Sequence, residues 1–248
     1  MQLVRRDFHQ RYVGSAAGWI WGVVNPAVQL AMYYFIFEVC LRVPPPPEAG
    51  DNYAIFMLAG FLPWMLFAET VTRSSTALVD HANLITKTVF PSEVVPVSIF
   101  ISSFVNHLIV VVLMLIAVYA VLGIVSPMLL LLPIYMFLLG LLGIGIAWIA
   151  SSLHVYLRDT GQVLGVLMMV WFWSTPIMIS KEIVPQAFHP LFDWNPLTWI
   201  VGAYRGRMLT TAWPDPTEFA VIAAYAVGFF VVGGLFFRHL KRGFADVL

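Results

Sequence analysis

Charge is scarce in this sequence. Only 10% of its 248 residues are Asp, Glu, Lys or Arg, against about 25% in soluble domains. That excludes an ordinary water-soluble domain. The formal net charge is zero, so nothing points to nucleic acid as a partner. Cysteine is nearly absent: Cys40 stands alone and cannot form an internal disulfide. No G-x-x-x-x-G-K-[ST] occurs, so the chain does not itself hold ATP in a P-loop. Gly143-Ile-Gly145 falls inside an apolar run rather than after a strand, and is no dinucleotide fingerprint. The six His are scattered without the spacing of metal ligands. No Ser/His/Asp or paired-carboxylate arrangement stands out, so no metal or catalytic site is expected. The charged ladders of a proton-coupled carrier and obvious inverted repeats are missing too. An energy source for any active transport would have to lie on another chain. The first residues, MQLVRRDFHQRYVGS, are too polar for a signal-peptide core.

What the sequence has is apolar length. It is 60% hydrophobic, with a mean hydropathy of +0.87. The apolar runs are long and continuous, not alternating, which argues against a β-barrel. The fold class expected is an all-α polytopic membrane protein, with one transmembrane domain over residues 1–248. Six spans are read at about 17–40, 53–72, 94–122, 128–153, 162–179 and 216–237, with soft ends. Counted outside these spans, nine of the thirteen Lys and Arg fall on one side: the N-terminus, the 73–93 and 154–161 loops, and the tail. The positive-inside rule then puts both termini in the cytoplasm and Trp171–Arg205 on the outer side.

Three stretches carry more than hydrophobicity. Residues 1–15 combine Arg5, Arg6 and Arg11 with Leu3, Val4, Phe8 and Tyr12 at near-helical spacing. This suits a basic amphipathic helix in the headgroup region, or a plain positive flank on the first span. In the 73–93 loop, Leu78, Ala82, Ile85 and Val89 make one helical face, with Asp80, Asn83 and Lys87 off it and Pro91 as a stop. Such a helix either rests on lipid or docks into a partner. Trp171–Arg205 starts as apolar helix and breaks at Pro176, then carries Pro185, Pro190 and Pro196. It reads as short amphipathic pieces at a membrane surface, or dipping into it, or as an ordinary loop. The loop 42–52, with four consecutive prolines, reads as a stiff spacer.

Within the spans, Gly14, Gly18 and Gly22 form one small-residue stripe, and Gly161 and Gly165 another. Either stripe serves internal packing or a seam between copies. Glu38, Glu69, Asn106 and His107 are the polar intruders, and both carboxylates sit near span ends, where a structural role suffices. Tyr33, Tyr34, Trp171 and Trp173 lie well inside spans one and five. Aromatic faces there pack a core or offer a smooth wall for sugar rings.

Several segments, in order, carry a resemblance: RRDFHQRYVGSAAGWIWGVVNP, NLITKTVFPSEVVPV, VYLRDTGQVL, FWSTPIMISKEIVPQAF, WNPLTWIVGAYR and the tail FADVL. Together they resemble the membrane subunit of a bacterial polysaccharide ABC exporter of the ABC-2 type, the group of the O-antigen permeases. Each segment is weak alone; the ordered set covers almost the whole chain. The resemblance implies a homodimer in the bacterial inner membrane, working with two copies of an ABC ATPase that bind ATP and Mg. It implies no cofactor in this chain and a polyprenyl-diphosphate-linked glycan as cargo, received at its head by Arg5, Arg6 and Arg11. It implies ATPase coupling through Asn83, Leu84, Ile85 and Lys87, with Arg158 and Asp159 nearby. It implies outer gate helices over 180–210, around Pro185, Asn195 and Pro196. The aromatic residues would then line the path, and Gly18, Gly22, Gly161 and Gly165 the dimer seam. Teichoic acid, capsule, drug or lipid exporters of the same type are the nearer alternatives, and a membrane enzyme acting on lipid-linked glycans is the remoter one.

Overall fold

A computed structural model describes residues 21–43, 52–87 and 90–248. Arg5, Arg6, Arg11, Gly14, Gly18 and Val89 therefore lie outside the described residues, as does most of the 42–52 proline spacer. Everything regular among the described residues is helical. The helices are α1 Trp21–Tyr34, α2 Tyr53–Asp80, α3 Ala82–Lys87, α4 Val94–Leu122 and α5 Leu132–Tyr156. There follow α6 Thr160–Trp173, α7 His189–Asp193, α8 Pro196–Leu209, α9 Pro216–Leu240 and α10 Phe244–Val247.

Helix α2 is the axis of the bundle. In its most apolar stretch 72% of residues are buried, against 22% for α4 and 17% for α9. It packs against α1, α4, α5, α6 and α8, while α9 leans on α5 from outside. Asn52 starts it, accepting from the Ile55 N–H at 3.1 Å. Helix α4 stops at Gly123, which takes the left-handed conformation with φ 65° and donates to the Tyr119 carbonyl. Ser126 and Asp215 cap the turns that lead into α5 and α9.

Helices α5 and α9 meet through glycine. A Cβ on Gly233 would strike the backbone of Gly145, and one on Gly145 the backbone of Phe229. Main chain touches main chain at this crossing, the close approach that small residues permit in a membrane. The Gly161 and Gly165 stripe expected from the sequence does not make it. A Cβ on Gly165 would meet nothing, and one on Gly161 only the His154 ring at 3.4 Å. Gly22 lies in α1.

Among the described residues, four helices are long and apolar enough to cross a bilayer: Tyr53–Asp80, Val94–Leu122, Pro127–Tyr156 and Pro216–Gly243. The apolar helices Ala27–Cys40 and Thr160–Trp173 are shorter. Where the sequence suggests a fifth span to 179, the helix ends at Trp173. Where it suggests a second span to 72, α2 runs on to Asp80. The expected face of Leu78, Ala82, Ile85 and Val89 consequently does not lie on one helix. Leu78 is fully buried in α2, and the break falls at His81, whose ring Nδ1 lies 2.9 Å from the Ala77 carbonyl.

Candidate functional site

The site is built where α6 gives out. Pro176 has no N–H and cannot continue a helix, so the carbonyls around it lose their intrahelical donors. Buried carbonyls need partners; the Thr175 carbonyl accepts from the nearby Ile177 N–H at 2.7 Å, and the others are met from distant parts of the chain. The Asn195 amide donates to the Ser174 carbonyl at 3.1 Å. Arg205 donates to the Pro176 carbonyl at 2.7 Å and the Ile177 carbonyl at 2.6 Å. The Tyr53 hydroxyl donates to the Met178 carbonyl. Residues 174–178 are thus an elbow held by side chains of α2 and α8 in place of helix hydrogen bonds.

Asn195 does more than hold the elbow. Its amide oxygen accepts from the Trp171 indole at 2.8 Å and from the Leu197 N–H at 3.0 Å, which caps α8. Its amide nitrogen also reaches the Thr175 hydroxyl at 2.9 Å. One side chain therefore fixes the end of α6 to the start of α8. Pro196 follows at the first turn of α8, where a missing N–H costs nothing. Pro185 opens the turn Gln186–Phe188, and an ion pair joins Lys181 to Asp193 across the same stretch.

Arg205 is 5% exposed. Its Nε also donates to the Phe56 carbonyl at 3.2 Å, and its guanidinium lies 3.5 Å from the Phe56 ring centroid. Gly60 leaves room for it: a Cβ there would strike the guanidinium. Arg207, 4% exposed, lies 3.7 Å from a Glu218 carboxylate oxygen and 3.4 Å from the Tyr135 hydroxyl. Both arginines were read from sequence as charges of an outer loop. They are instead interior, because α8 runs back into the bundle with Leu197, Ile200, Val201, Tyr204 and Met208 in the core. An amphipathic surface helix does not describe α8. Sequence reasoning missed both roles; two Arg at spacing two beside N-P-L was the available signal.

The aromatic residues of α1 and α6 do converge. Tyr33 stacks on Phe172 at 5.8 Å between centroids and meets Trp173 edge-on at 6.3 Å. Phe61 and Trp64 of α2 back Phe172 at 6.1 and 5.3 Å. Trp173 stays 55% exposed and Tyr34 40%. Trp171 turns inward, onto Phe67 at 5.1 Å and Asn195. Wall and elbow are continuous, since Trp171 to Trp173 lead directly into residue 174.

At the other end of the bundle lies a second small core of Leu78, Val95, Ile99, Val155, Phe237 and Phe244, with Ile85 packed against it. It brings α3, the end of α5 and the C-terminal α10 together; the Tyr156 hydroxyl donates to the Leu240 carbonyl at 2.8 Å. Leu84 is partly buried, Asn83 points outward, and Arg158 and Asp159 are exposed at the turn after α5. Two of the four polar intruders of the spans, Glu69 and His107, are held internally. Glu69 accepts from Ser103 at 2.8 Å and lies 3.4 Å from Arg73, while His107 lies 3.2 Å from the Tyr204 hydroxyl. Among the described residues no group of His, Cys, Asp or Glu could hold a metal.

A family model described as ABC-2 type transporter matches residues 1–209. The O-antigen export system permease protein RfbA of Klebsiella pneumoniae is 30% identical over 99% of this chain and 93% of its own length. RfbA of Myxococcus xanthus is 25% identical over 99% and 94%. The polysialic acid transport protein KpsM of Escherichia coli is 22% identical over 84% and 80%.

Proposed function

Because this chain belongs to the ABC-2 type transporter family, we propose that it is the membrane permease subunit of an ABC exporter that moves a lipid-linked, O-antigen-like polysaccharide. One observation carries the reading: O-antigen export permeases align with 99% of the chain at 25 to 30% identity. A polysaccharide-transport relative outside that group lends further support. The chain is a transport component, and ATP and Mg belong to a separate ATPase subunit.

Two copies form a homodimer in the bacterial inner membrane and engage two ATPase subunits. Six segments cross the bilayer: the four long helices and the two segments that contain α1 and α6. Both termini face the cytoplasm. The burial of Arg205 and Arg207 sharpens this orientation, because it leaves Arg42 and Lys181 as the only cations read on the outer side. Arg5, Arg6 and Arg11 receive the diphosphate head, since guanidinium groups match phosphate oxygens in bidentate geometry. Tyr33 and Trp173 form a smooth wall for sugar rings, and the elbow at 174–178 with α7 and α8 forms the outer gate. The end that carries α3 and Arg158–Asp159 meets the ATPase.

The test is copurification with the ATPase subunit encoded beside it, followed by hydrolysis assays with candidate lipid-linked glycans. Stimulation by a polyprenyl-diphosphate glycan is expected. Stimulation by apolar drugs alone, or turnover of the glycan by this chain without the ATPase, would overturn the reading.

A further inference from the structure

A cavity of about 610 Å³ opens where the end of α9 meets the start of α4 and the side of α5. That is within the range of about 300 to 1,000 Å³ typical of small-ligand sites. Its rim carries Arg238, Lys241 and Arg242, and its floor Trp148 and Phe237. It lies far along the chain from the elbow and shares none of the elbow residues named above.

The charges do not cancel. Lys241 is neutralised by Glu93 at 2.5 Å. Among the described residues, neither Arg238 nor Arg242 has a carboxylate partner, and both are exposed. These two guanidinium groups, about one helical turn apart, line a single cavity. The Trp148 indole spends its N–H on the Glu93 carbonyl at 3.1 Å and turns its ring toward Phe237, 6.2 Å away. Below the cations, then, the lining is aromatic. The cavity sits at the end of a spanning helix, the depth at which lipid headgroups lie.

We propose that this cavity binds the phosphate of an anionic membrane phospholipid. Arg238 and Arg242 fork the phosphate oxygens, and the Trp148–Phe237 floor takes the glycerol and first acyl carbons. Basic pockets between spanning helices suit such headgroups. A zwitterionic lipid brings its own cation to a rim that already has an excess, so discrimination by charge follows. The site depends on α9 crossing the membrane and not on the identity of the exported molecule.

The experiment uses the full-length protein and native mass spectrometry. Phosphatidylglycerol, phosphatidylethanolamine and inorganic phosphate are each titrated onto wild type, Arg238→Gln/Arg242→Gln and Arg238→Lys/Arg242→Lys. On wild type, phosphatidylglycerol adducts should exceed phosphatidylethanolamine adducts. The Gln pair should lower phosphatidylglycerol binding roughly tenfold or more, and the Lys pair should retain most of it. Equal binding of the two lipids to wild type, or undiminished phosphatidylglycerol binding to the Gln pair, overturns the proposal. Inorganic phosphate binding as well as the lipid does would show a free-anion site and overturn the lipid assignment. Should the Gln pair fail to fold, Arg242→Gln alone supplies the same comparison.

Discussion

The indole of Trp171 donates to the side-chain oxygen of Asn195 at 2.8 Å, across 24 residues of sequence. The same amide caps α8 and holds the Ser174 carbonyl. Asn195→Ala removes all these bonds at once. A lost cap costs about 1 kcal/mol and each orphaned buried group about 1 to 3. With the Trp171 indole and the Ser174 carbonyl both orphaned, thermal unfolding in detergent should show a loss of roughly 3 to 7 kcal/mol by the same reckoning. Asn195→Asp keeps the acceptor and should lose less. An Ala variant as stable as wild type would mean that the amide is a bystander.

Arg205 and Gly60 should behave as one unit. Arg205→Met takes the donors from the buried Pro176 and Ile177 carbonyls, and should cost roughly 2 to 6 kcal/mol at about 1 to 3 per orphaned group. Gly60→Ala pushes a methyl into the guanidinium and should destabilise on its own. In the double variant the methyl no longer meets the guanidinium, so the two losses should fall short of their sum. Strict additivity in denaturation midpoints would refute the coupling.

Tyr33→Ala and Trp173→Ala should each reduce glycan export while leaving the assembled protein intact. Both side chains belong to the wall, and Trp173 is largely exposed. Phe172→Ala differs, because Phe172 is the buried centre of the cluster; it should cost about 3 to 5 kcal/mol of stability. Cysteines at 33 and 173 that react only with lipid-dissolved reagents would remove the wall from the export path.

The glycines should separate two kinds of packing. Gly233→Leu forces α5 and α9 apart and should lower the folded yield outright. Gly165→Leu enters open space within one chain, so it should leave the fold alone and shift the purified protein toward monomer. A fully dimeric Gly165→Leu variant would take that position out of the seam.

Single cysteines at the exposed Asn83 and Arg158 should cross-link to the ATPase subunit, with yields that change when ATP is added. No cross-link in either nucleotide state, in an export-competent complex, would place the coupling elsewhere.

Sequence periodicity sees what is local. It locates α4 to the residue and α5 and α9 within a few residues, because Gly123, Ser126 and Asp215 are turn and cap signals beside long apolar runs. Among the four aromatics that the sequence sets inside spans one and five, Tyr33 and Trp173 meet in the structure. Periodicity cannot see that α8 re-enters the bundle. There Arg205 looks like a loop charge until the carbonyls released by Pro176, 29 residues earlier, become its partners. The end of α2 was misplaced for a related reason. Thr72 to Thr76 look like a polar loop, yet Thr72, Ser75 and Thr76 bond back onto the helix or along it, at Ala68, Thr72 and Asp80. The Gly145–Gly233 crossing was invisible because its two halves lie on different helices with no shared period.

That crossing has a mechanical consequence. Side chains between two helices act as a compliant layer, able to change rotamer and absorb a small displacement. At Gly145 and Gly233 that layer is missing, and backbone bears on backbone. A tilt of α9 is therefore transmitted to α5 without slack, and α5 lies against the axial α2. Whatever strain reaches the bundle along α9 arrives at the centre undamped, while α6, whose outer face is open, is left as the part free to yield.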